Sequence, residues 1–282
     1  MGLPMVKNLI TAGYAVHGID INPASLTVLS GMGGKAFTNA KEACAGVDLL
    51  LILVVNASQA KQVLFESGAI DVLPMGGIVC LMSTCPPAEV EDIAKQVQAK
   101  GRRLVDAPLS GGVVGATNGS LTIMAACDEE TFKDIHAVFQ VIGERIFHVG
   151  HQPGQGAMCK TVNQLLCGLH IAVAAEAFSL AKKSGLDLTM LLEIMSGSAA
   201  SSWMLKDRGP RMLESDPIVT SAVDIFVKDL GIVMQAGRDA KAALPLTAAA
   251  YQLFLSSSGR GDGRLDDSQV IRSYDLLNGL EK

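Results

Sequence analysis

A glycine, a helix-like segment and an aspartate at the start of the chain have the types and the order that bind a dinucleotide. Gly2 precedes the apolar helical pattern LPMVKNLITAG, and Asp20 ends the next strand-like run, 18 residues further on. A carboxylate at that place accepts hydrogen bonds from an adenosine ribose and repels a 2′-phosphate. The pattern alone is weak, because a glycine before a helix is common and Asp20 could instead cap the turn DINP.

Polar groups also follow two strand-like runs further along the chain. The run DLLLILVV ends at Val55 and is followed by Asn56, and the run GGIVCLMS is followed by Thr84. Ligands of open α/β sheets bind at the carboxyl ends of the strands. These positions therefore strengthen the nucleotide interpretation, and the simple turn remains open.

Lys160, Asn163 and Gln164 occur together in the helix-like segment AMCKTVNQLLCGLHIAVAAEAFSLAKKSG. A spacing of three and four residues places both amides on the helix face that carries Lys160. Spacing alone leaves two interpretations open, because amides also bridge helices and a lysine near a helix start is commonly a surface residue.

The elements that must position these residues change character near Gly150. Before it, strand-like runs such as YAVHGID, RRLVDAP, SLTIMAA and ERIFHVG alternate with helix-like segments, which is typical of a doubly wound α/β sheet. After the break HQPGQG only helical patterns follow. We therefore predict a Rossmann-like nucleotide-binding domain over residues 1–151 and an all-α domain over residues 152–282.

Composition narrows the classes of protein and partner. The chain has 282 residues, is 49% hydrophobic and carries a net charge of −5 without a basic tract, so we expect no nucleic-acid or membrane partner. Its six cysteines lack metal-ligand spacing, which indicates reduced thiols, an intracellular protein and no metal site. His170 and Glu176 interrupt the apolar stretch 165–183, which predicts a buried core helix rather than a membrane span.

Four motifs in order, MGLPMVKNL, DAPLSGG, GQGAMCKTVNQ and SAVDIFVKDLGIV, resemble those of the β-hydroxyacid (3-hydroxyisobutyrate) dehydrogenase superfamily almost from end to end. The resemblance implies a cytoplasmic, homodimeric or homotetrameric dehydrogenase that uses NAD, with NADP less favoured, on a small hydroxy acid. The segments LVVNASQAKQVLF, NQLLCGLHIA and SSWM favour the L-threonate dehydrogenase branch, which forms a 2-oxo acid (2-oxo-tetronate). Alternatives are 3-hydroxyisobutyrate dehydrogenase, tartronate semialdehyde reductase, and an inactive scaffold or a piece of a longer fusion protein.

The resemblance implies a role for each candidate residue. Lys160 occupies the place of the catalytic acid/base. An ordinary lysine has a pKa of about 10.4, so a lysine that acts as a base needs desolvation or nearby positive charge. Substrate binding is implied for Ser110, Gly111, Gly112, Asn163 and Gln164, with Gln164 standing where many members have a second asparagine. Cofactor binding is implied for Gly2, Asp20, Val55, Asn56, Thr84 and Lys228. Asp229 is expected to orient its segment, and His170 and Trp203 are expected to pack among helices.

The resemblance also exposes a gap at the start of the chain. Members begin with a strand and a G-x-G-x-x-G turn, and Gly2 aligns with the third glycine, so the first strand and the first two glycines are missing. A wrongly chosen start codon, a fragment and a degenerate copy all remain open. We expect the 282-residue chain alone to bind NAD weakly and to aggregate, and an upstream segment of about a dozen residues to restore binding.

Overall fold

Strands in the first half of the chain form two sheets in the computed structural model, which describes residues 1–280. In the smaller sheet, β1 (His17–Ile19) pairs in parallel with β2 (Lys35–Phe37). The larger sheet has the order β3-β4-β5-β7-β6, with β8 beside β7. Its strands are β3 (Leu49–Ile52), β4 (Ile78–Leu81), β5 (Arg103–Asp106), β6 (Leu109–Ser110), β7 (Leu121–Ala126) and β8 (Gly143–Gly150).

Strand direction is mixed in the larger sheet. β3, β4 and β5 run parallel, β7 is antiparallel to β5 and β6, and β8 is parallel to β7. The predicted Rossmann-like α/β fold is confirmed, with an antiparallel segment that the apolar pattern did not indicate. Most strand-like runs of the sequence are longer than the strands they contain, whereas β8 extends one residue beyond the run ERIFHVG.

Helices connect these strands in the first unit, Met1–Lys160. They are α1 (Gly2–Thr11), α2 (Pro23–Gly31), α3 (Ala40–Cys44), α4 (Ala57–Lys61, continued by a π-helical turn over Gln62–Glu66), α5 (Ala69–Val72), α6 (Pro87–Ala99), α7 (Gly112–Asn118) and α8 (Glu129–Ile142). Side chains one residue before four of these helices accept their first backbone N–H groups: Asn22, Asn39, Asn56 and Asp128. Such caps stabilise a helix by about 1 kcal/mol each.

Helices also make up the second unit, Thr161–Lys282. The helices over this part of the chain are α9 (Gln155–Lys183, which begins in the first unit), α10 (Leu188–Gly197), α11 (Trp203–Met212), α12 (Val223–Asp239), α13 (Pro245–Gly259) and α14 (Ile271–Leu277). Between Thr161 and Leu280 the only β-pairing is an isolated bridge from Ala222 to Asp266. The predicted all-helical second domain is confirmed. The predicted division at residues 151 and 152 stays a prediction, while the two compact units divide inside α9.

α9 is the one helix among residues 1–280 that is long and apolar enough to cross a membrane by length and composition. Half of its most apolar window is buried inside the protein. Ile171, Ala175 and Phe178 are almost fully buried among side chains of α11, α12 and α13. This burial supports the interpretation of α9 as the central core helix of its unit.

Candidate active site

Lys160 lies in the second turn of α9, and its side chain is buried, with 7% of its surface exposed. Lysine is seldom buried to this degree, since its ammonium group loses hydration there. A lysine that acts as a base needs desolvation or nearby positive charge, and the burial of Lys160 agrees with the first of these.

The start of α9 is held by a carboxylate from the sheet. Asp106, the last residue of β5, is 1% exposed. Its Oδ2 accepts N–H groups from Gly154 and Ala157, each at 2.9 Å. Burial raises the pKa of this carboxyl to about 6, against the opposing effect of the backbone N–H groups that it accepts.

The segment Ser110–Gly112 joins β6 to α7 through two glycines with positive φ. Gly111 has φ +123° and Gly112 has φ +62°, values that side chains with a Cβ rarely adopt. A Cβ on Gly111 would also lie 3.3 Å from Leu121 Cδ2, whereas Gly112 faces open space. Successive backbone N–H groups in such conformations form concave sites that bind anions, which fits a substrate carboxylate.

Gln164 and Lys228 are linked in the second unit through Asp229. Gln164 Nε2 donates to Asp229 Oδ2 at 2.5 Å, and Lys228 Nζ lies 2.7 Å from Asp229 Oδ1. Gln164 and Asp229 are both buried, whereas Lys228 is partly exposed. This contact fixes the orientation of the Gln164 amide and supports the expected orienting role of Asp229. Asn163, on the same helix, accepts a hydrogen bond from Cys167 Sγ at 3.8 Å.

Asp20 follows β1 directly and is exposed. Its Oδ1 accepts the backbone N–H of Asn22 at 2.8 Å, so the carboxylate also holds its own turn. This hydrogen bond agrees with the turn interpretation from the sequence, and ribose binding by Asp20 stays a prediction. At Gly2, the first residue of α1, an added Cβ would meet only Leu53 Cδ2, at 4.0 Å. This structure therefore shows no close backbone approach that demands glycine there.

Val55, Asn56 and Thr84 lie beyond the carboxyl ends of β3 and β4. The Val55 N–H donates to Gln59 Oε1 and Asn56 Oδ1 accepts the Gln59 N–H, both at 2.9 Å. Thr84 is half-buried just after β4. Together with Asp20 after β1, these residues lie at the strand ends where open sheets bind nucleotides. The exposed carboxylate of Asp20 and the start of α1 fit the ribose and the phosphates of a nicotinamide cofactor.

Two residues at the strand ends escaped the sequence analysis. Ser83 Oγ accepts the Val54 N–H at 2.8 Å and so joins the ends of β3 and β4. Asp106 anchors α9. The signal that identifies Asp106 is an ionisable group closing the apolar strand RRLVDAP, since a buried carboxylate must find hydrogen-bond donors.

The structure contradicts two expectations about packing. His170 is exposed, and Trp203 is 56% exposed. The reason for His170 is helical spacing, which places it on the same face of α9 as the exposed Leu166 and Val173. In the part of the chain that the structure describes, no group of three or more His, Cys, Asp or Glu side chains could hold a metal ion.

Fold and site together are those of a two-domain, nicotinamide-dependent oxidoreductase. Residues 1–150 match the NAD binding domain of 6-phosphogluconate dehydrogenase. Residues 154–274 match the sequence family described as the NAD-binding domain of NADP-dependent 3-hydroxyisobutyrate dehydrogenase. The chain therefore belongs to the 3-hydroxyisobutyrate dehydrogenase family of NAD(P)-dependent hydroxyacid oxidoreductases.

Relatives with assigned activities agree with this family. The L-threonate dehydrogenase of Cupriavidus necator is 38% identical over 275 residues, which are 97% of this chain and 93% of that protein. The 2-hydroxy-3-oxopropionate reductase of Escherichia coli is 32% identical, covering 98% of this chain and 94% of that protein. A crystal structure of 3-hydroxyisobutyrate dehydrogenase from Salmonella typhimurium has a TM-score of 0.92 at 37% identity, covering 96% of this chain and 95% of that chain. The predicted resemblance, including the similarity to L-threonate dehydrogenases, is confirmed.

Proposed function

We propose that this chain oxidises a small polyhydroxy acid with NAD, and that L-threonate is its substrate and 2-oxo-tetronate its product. The observation that carries the proposal is the buried Lys160 on an anchored helix turn, within the motif that the family uses for acid–base chemistry. Similarity to L-threonate dehydrogenases over 97% of the chain supports the choice of substrate.

Oxidation of an alcohol needs a base for the hydroxyl proton and an acceptor for the hydride. A nicotinamide cofactor, when bound, would supply the hydride acceptor. Lys160 Nζ takes the hydroxyl proton during oxidation and returns it in the reverse direction. Ser110 and the backbone N–H groups of Gly111 and Gly112 hold the substrate carboxylate. The amides of Asn163 and Gln164 hydrogen-bond to the remaining hydroxyl groups.

Cofactor choice follows from Asp20. An exposed carboxylate after β1 accepts hydrogen bonds from the ribose hydroxyls of NAD and repels the 2′-phosphate of NADP. Neither Ile21 nor Asn22 carries a positive charge that could offset the repulsion.

A substrate panel tests the proposal. Purified protein is assayed with L-threonate, 3-hydroxyisobutyrate and glycerate, each with NAD and with NADP. L-Threonate with NAD should give the highest kcat/KM. A higher kcat/KM for 3-hydroxyisobutyrate, or for glycerate as the reduced partner of tartronate semialdehyde, would assign the chain to that activity instead. If a protein extended upstream by about a dozen residues, with the family's first strand and glycine turn, also turned over none of them and bound no cofactor by calorimetry, a scaffold would be favoured.

The homodimer or homotetramer implied by the family stays a prediction. Exposed apolar side chains at helical spacing on α9 support it, namely Val162, Leu166, Val173 and Leu180. Light scattering on the purified chain measures the oligomeric state, and a monomer at all concentrations would contradict the prediction.

A further inference from the structure

The first turn of α9 depends on a hydrogen-bond acceptor from outside the helix. The leading N–H groups of any α-helix have no partner within it. At the start of α9 the Gln155 N–H donates to the Gln152 carbonyl oxygen, and one carboxylate oxygen, Asp106 Oδ2, accepts from both Gly154 and Ala157. Because Asp106 is 1% exposed, water cannot readily replace it.

The same turn lies directly against two strand ends. A Cβ on Gly156 would come within 2.5 Å of the Asp106 carbonyl oxygen and within 2.7 Å of the Met124 carbonyl oxygen. Both oxygens belong to backbone of β5 and β7, which cannot move aside as a flexible side chain can. The helix start is therefore fixed in distance by sterics and in direction by the Asp106 hydrogen bonds.

We propose that Asp106 is a positioning residue, which fixes the place of Lys160 relative to the Ser110–Gly112 segment. Ala157 precedes Lys160 by three residues, about one helical turn, and Ser110 follows Asp106 by four residues. The Asp106 carboxylate thus joins the first turns of α9, which carry the proposed general base, to the end of β5. The chain continues from β5 to the segment that is proposed to bind the substrate carboxylate. All of these residues lie in the first unit. The inference rests on the proposed role of Lys160.

Two substitutions of Asp106 distinguish a positioning role of its hydrogen bonds from a requirement for its negative charge. Asp106→Asn keeps one oxygen that can accept both N–H groups, while the negative charge is lost and an NH2 group replaces the second oxygen. Asp106→Ala removes the acceptor and leaves two buried N–H groups without it. Displacing a reacting group by about 1 Å costs on the order of 100-fold in rate.

The activity test compares these two variants with a matched control. Asp128→Ala also removes a capping aspartate, from α8 of the same unit, where Asp128 accepts the Thr131 N–H at 2.8 Å. We expect Asp106→Ala to lower kcat about 100-fold with cofactor Kd unchanged. Asp106→Asn should stay within about threefold of the parent kcat, and Asp128→Ala should keep it. Equal kcat values for Asp106→Ala and Asp128→Ala would overturn the proposal. A decrease in kcat of about 100-fold in Asp106→Asn would also overturn it.

Hydrogen exchange supplies a readout that does not depend on activity. Amide protons of Gly154 and Ala157 should exchange faster in Asp106→Ala and stay protected in Asp106→Asn, while Asp128→Ala affects α8 instead. Unchanged exchange at Gly154 and Ala157 in Asp106→Ala would show that the carboxylate does not hold the turn. If Asp106→Ala does not fold, Asp106→Asn decides. A kcat within about threefold of the parent, with Gly154 and Ala157 still protected from exchange, supports the proposal, and loss of either contradicts it. Full activity of Lys160→Ala would instead refute the proposed function, and the exchange result would still stand.

Discussion

At the scale of single residues, Lys160 carries the proposed proton transfer, and its replacement gives the most direct prediction. Lys160→Ala should lower kcat by about 100-fold or more, the range expected for loss of acid–base catalysis. Cofactor affinity should change little. Steady-state kinetics and calorimetry measure the two effects, with Lys95→Ala, an exposed lysine on α6, as the matched control. Near-parental kcat in Lys160→Ala would remove this lysine from the mechanism.

Asp20 holds its own turn, and its proposed role in cofactor choice can be tested with two variants. Asp20→Asn keeps an oxygen for the Asn22 N–H but removes the charge, and Asp20→Ala removes both. Both variants should narrow or reverse the preference for NAD over NADP, because repulsion of the 2′-phosphate disappears. The ratio of kcat/KM values for NAD and NADP measures this preference. A parent protein that already uses NADP better would contradict the assignment.

At the scale of elements, the junction between β6 and α7 is expected to receive the acid end of the substrate. Ser110→Ala should raise KM for the hydroxy acid about tenfold or more and leave KM for NAD unchanged, since a hydrogen bond to a charged group contributes about 1.5–3 kcal/mol. Thr117→Ala is the control, because the Thr117 hydroxyl bonds only within α7, to Val113 O. Equal KM values for the acid in Ser110→Ala and the parent would place the substrate carboxylate elsewhere.

Elements with strong patterns could be predicted from the sequence, and weak ones could not. The apolar runs that became β3, β4, β5 and β7 are recognisable because buried strands require them. In contrast, β2 has two exposed residues and one partly buried residue, and β6 is only two residues long, so neither has a pattern to detect. Their strand geometry comes from pairing with β1 and β7, which are distant in the sequence.

The candidate site shows the same limit. Motifs point to Lys160 and Ser110 because chemistry restricts the residue type at those positions. The partner of a buried group, however, is set by tertiary contacts: Asp106 reaches an amide 51 residues away, and Gln164 reaches a carboxylate 65 residues away. Helical periodicity likewise identified α9 as apolar but did not tell which face, including His170, would remain exposed.

At the scale of the whole molecule, pH should act on stability through the buried Asp106. Three thiols lie near it, those of Cys80, Cys127 and Cys159, and burial raises the pKa of each, so they stay neutral in weak acid and at neutral pH. These thiols therefore do not titrate in the pH range in which the Asp106 carboxyl does. Its pKa lies at about 6 in the folded protein, against an ordinary value of 3.8.

The sign of the effect follows from that raised value. A raised pKa favours the protonated folded form, so the stability due to Asp106 is fully present below pH 3.8 and is lost as the pH rises through about 6. At 1.36 kcal/mol per pKa unit the difference reaches about 3 kcal/mol. The asparagine side chain of Asp106→Asn cannot ionise. As the pH rises from about 4 to about 8, the free energy of unfolding of this variant should therefore rise by about 3 kcal/mol relative to that of the parent.

Asp128 provides a control with the opposite sign. Its hydrogen bonds from Thr131 hold the pKa of that carboxyl below 3.8, so its stabilising effect is present at neutral pH and is lost as the pH falls through the folded value. Relative to the parent, Asp128→Asn should therefore be least stable at neutral pH and approach the parent in acid. Urea unfolding of the three proteins at several pH values measures both slopes. Ionisation of a group lowers the free energy of unfolding only where the folded environment disfavours the charge. If the free energies of unfolding of the parent and Asp106→Asn change with pH in parallel, the buried carboxyl keeps its ordinary pKa, and the prediction is wrong.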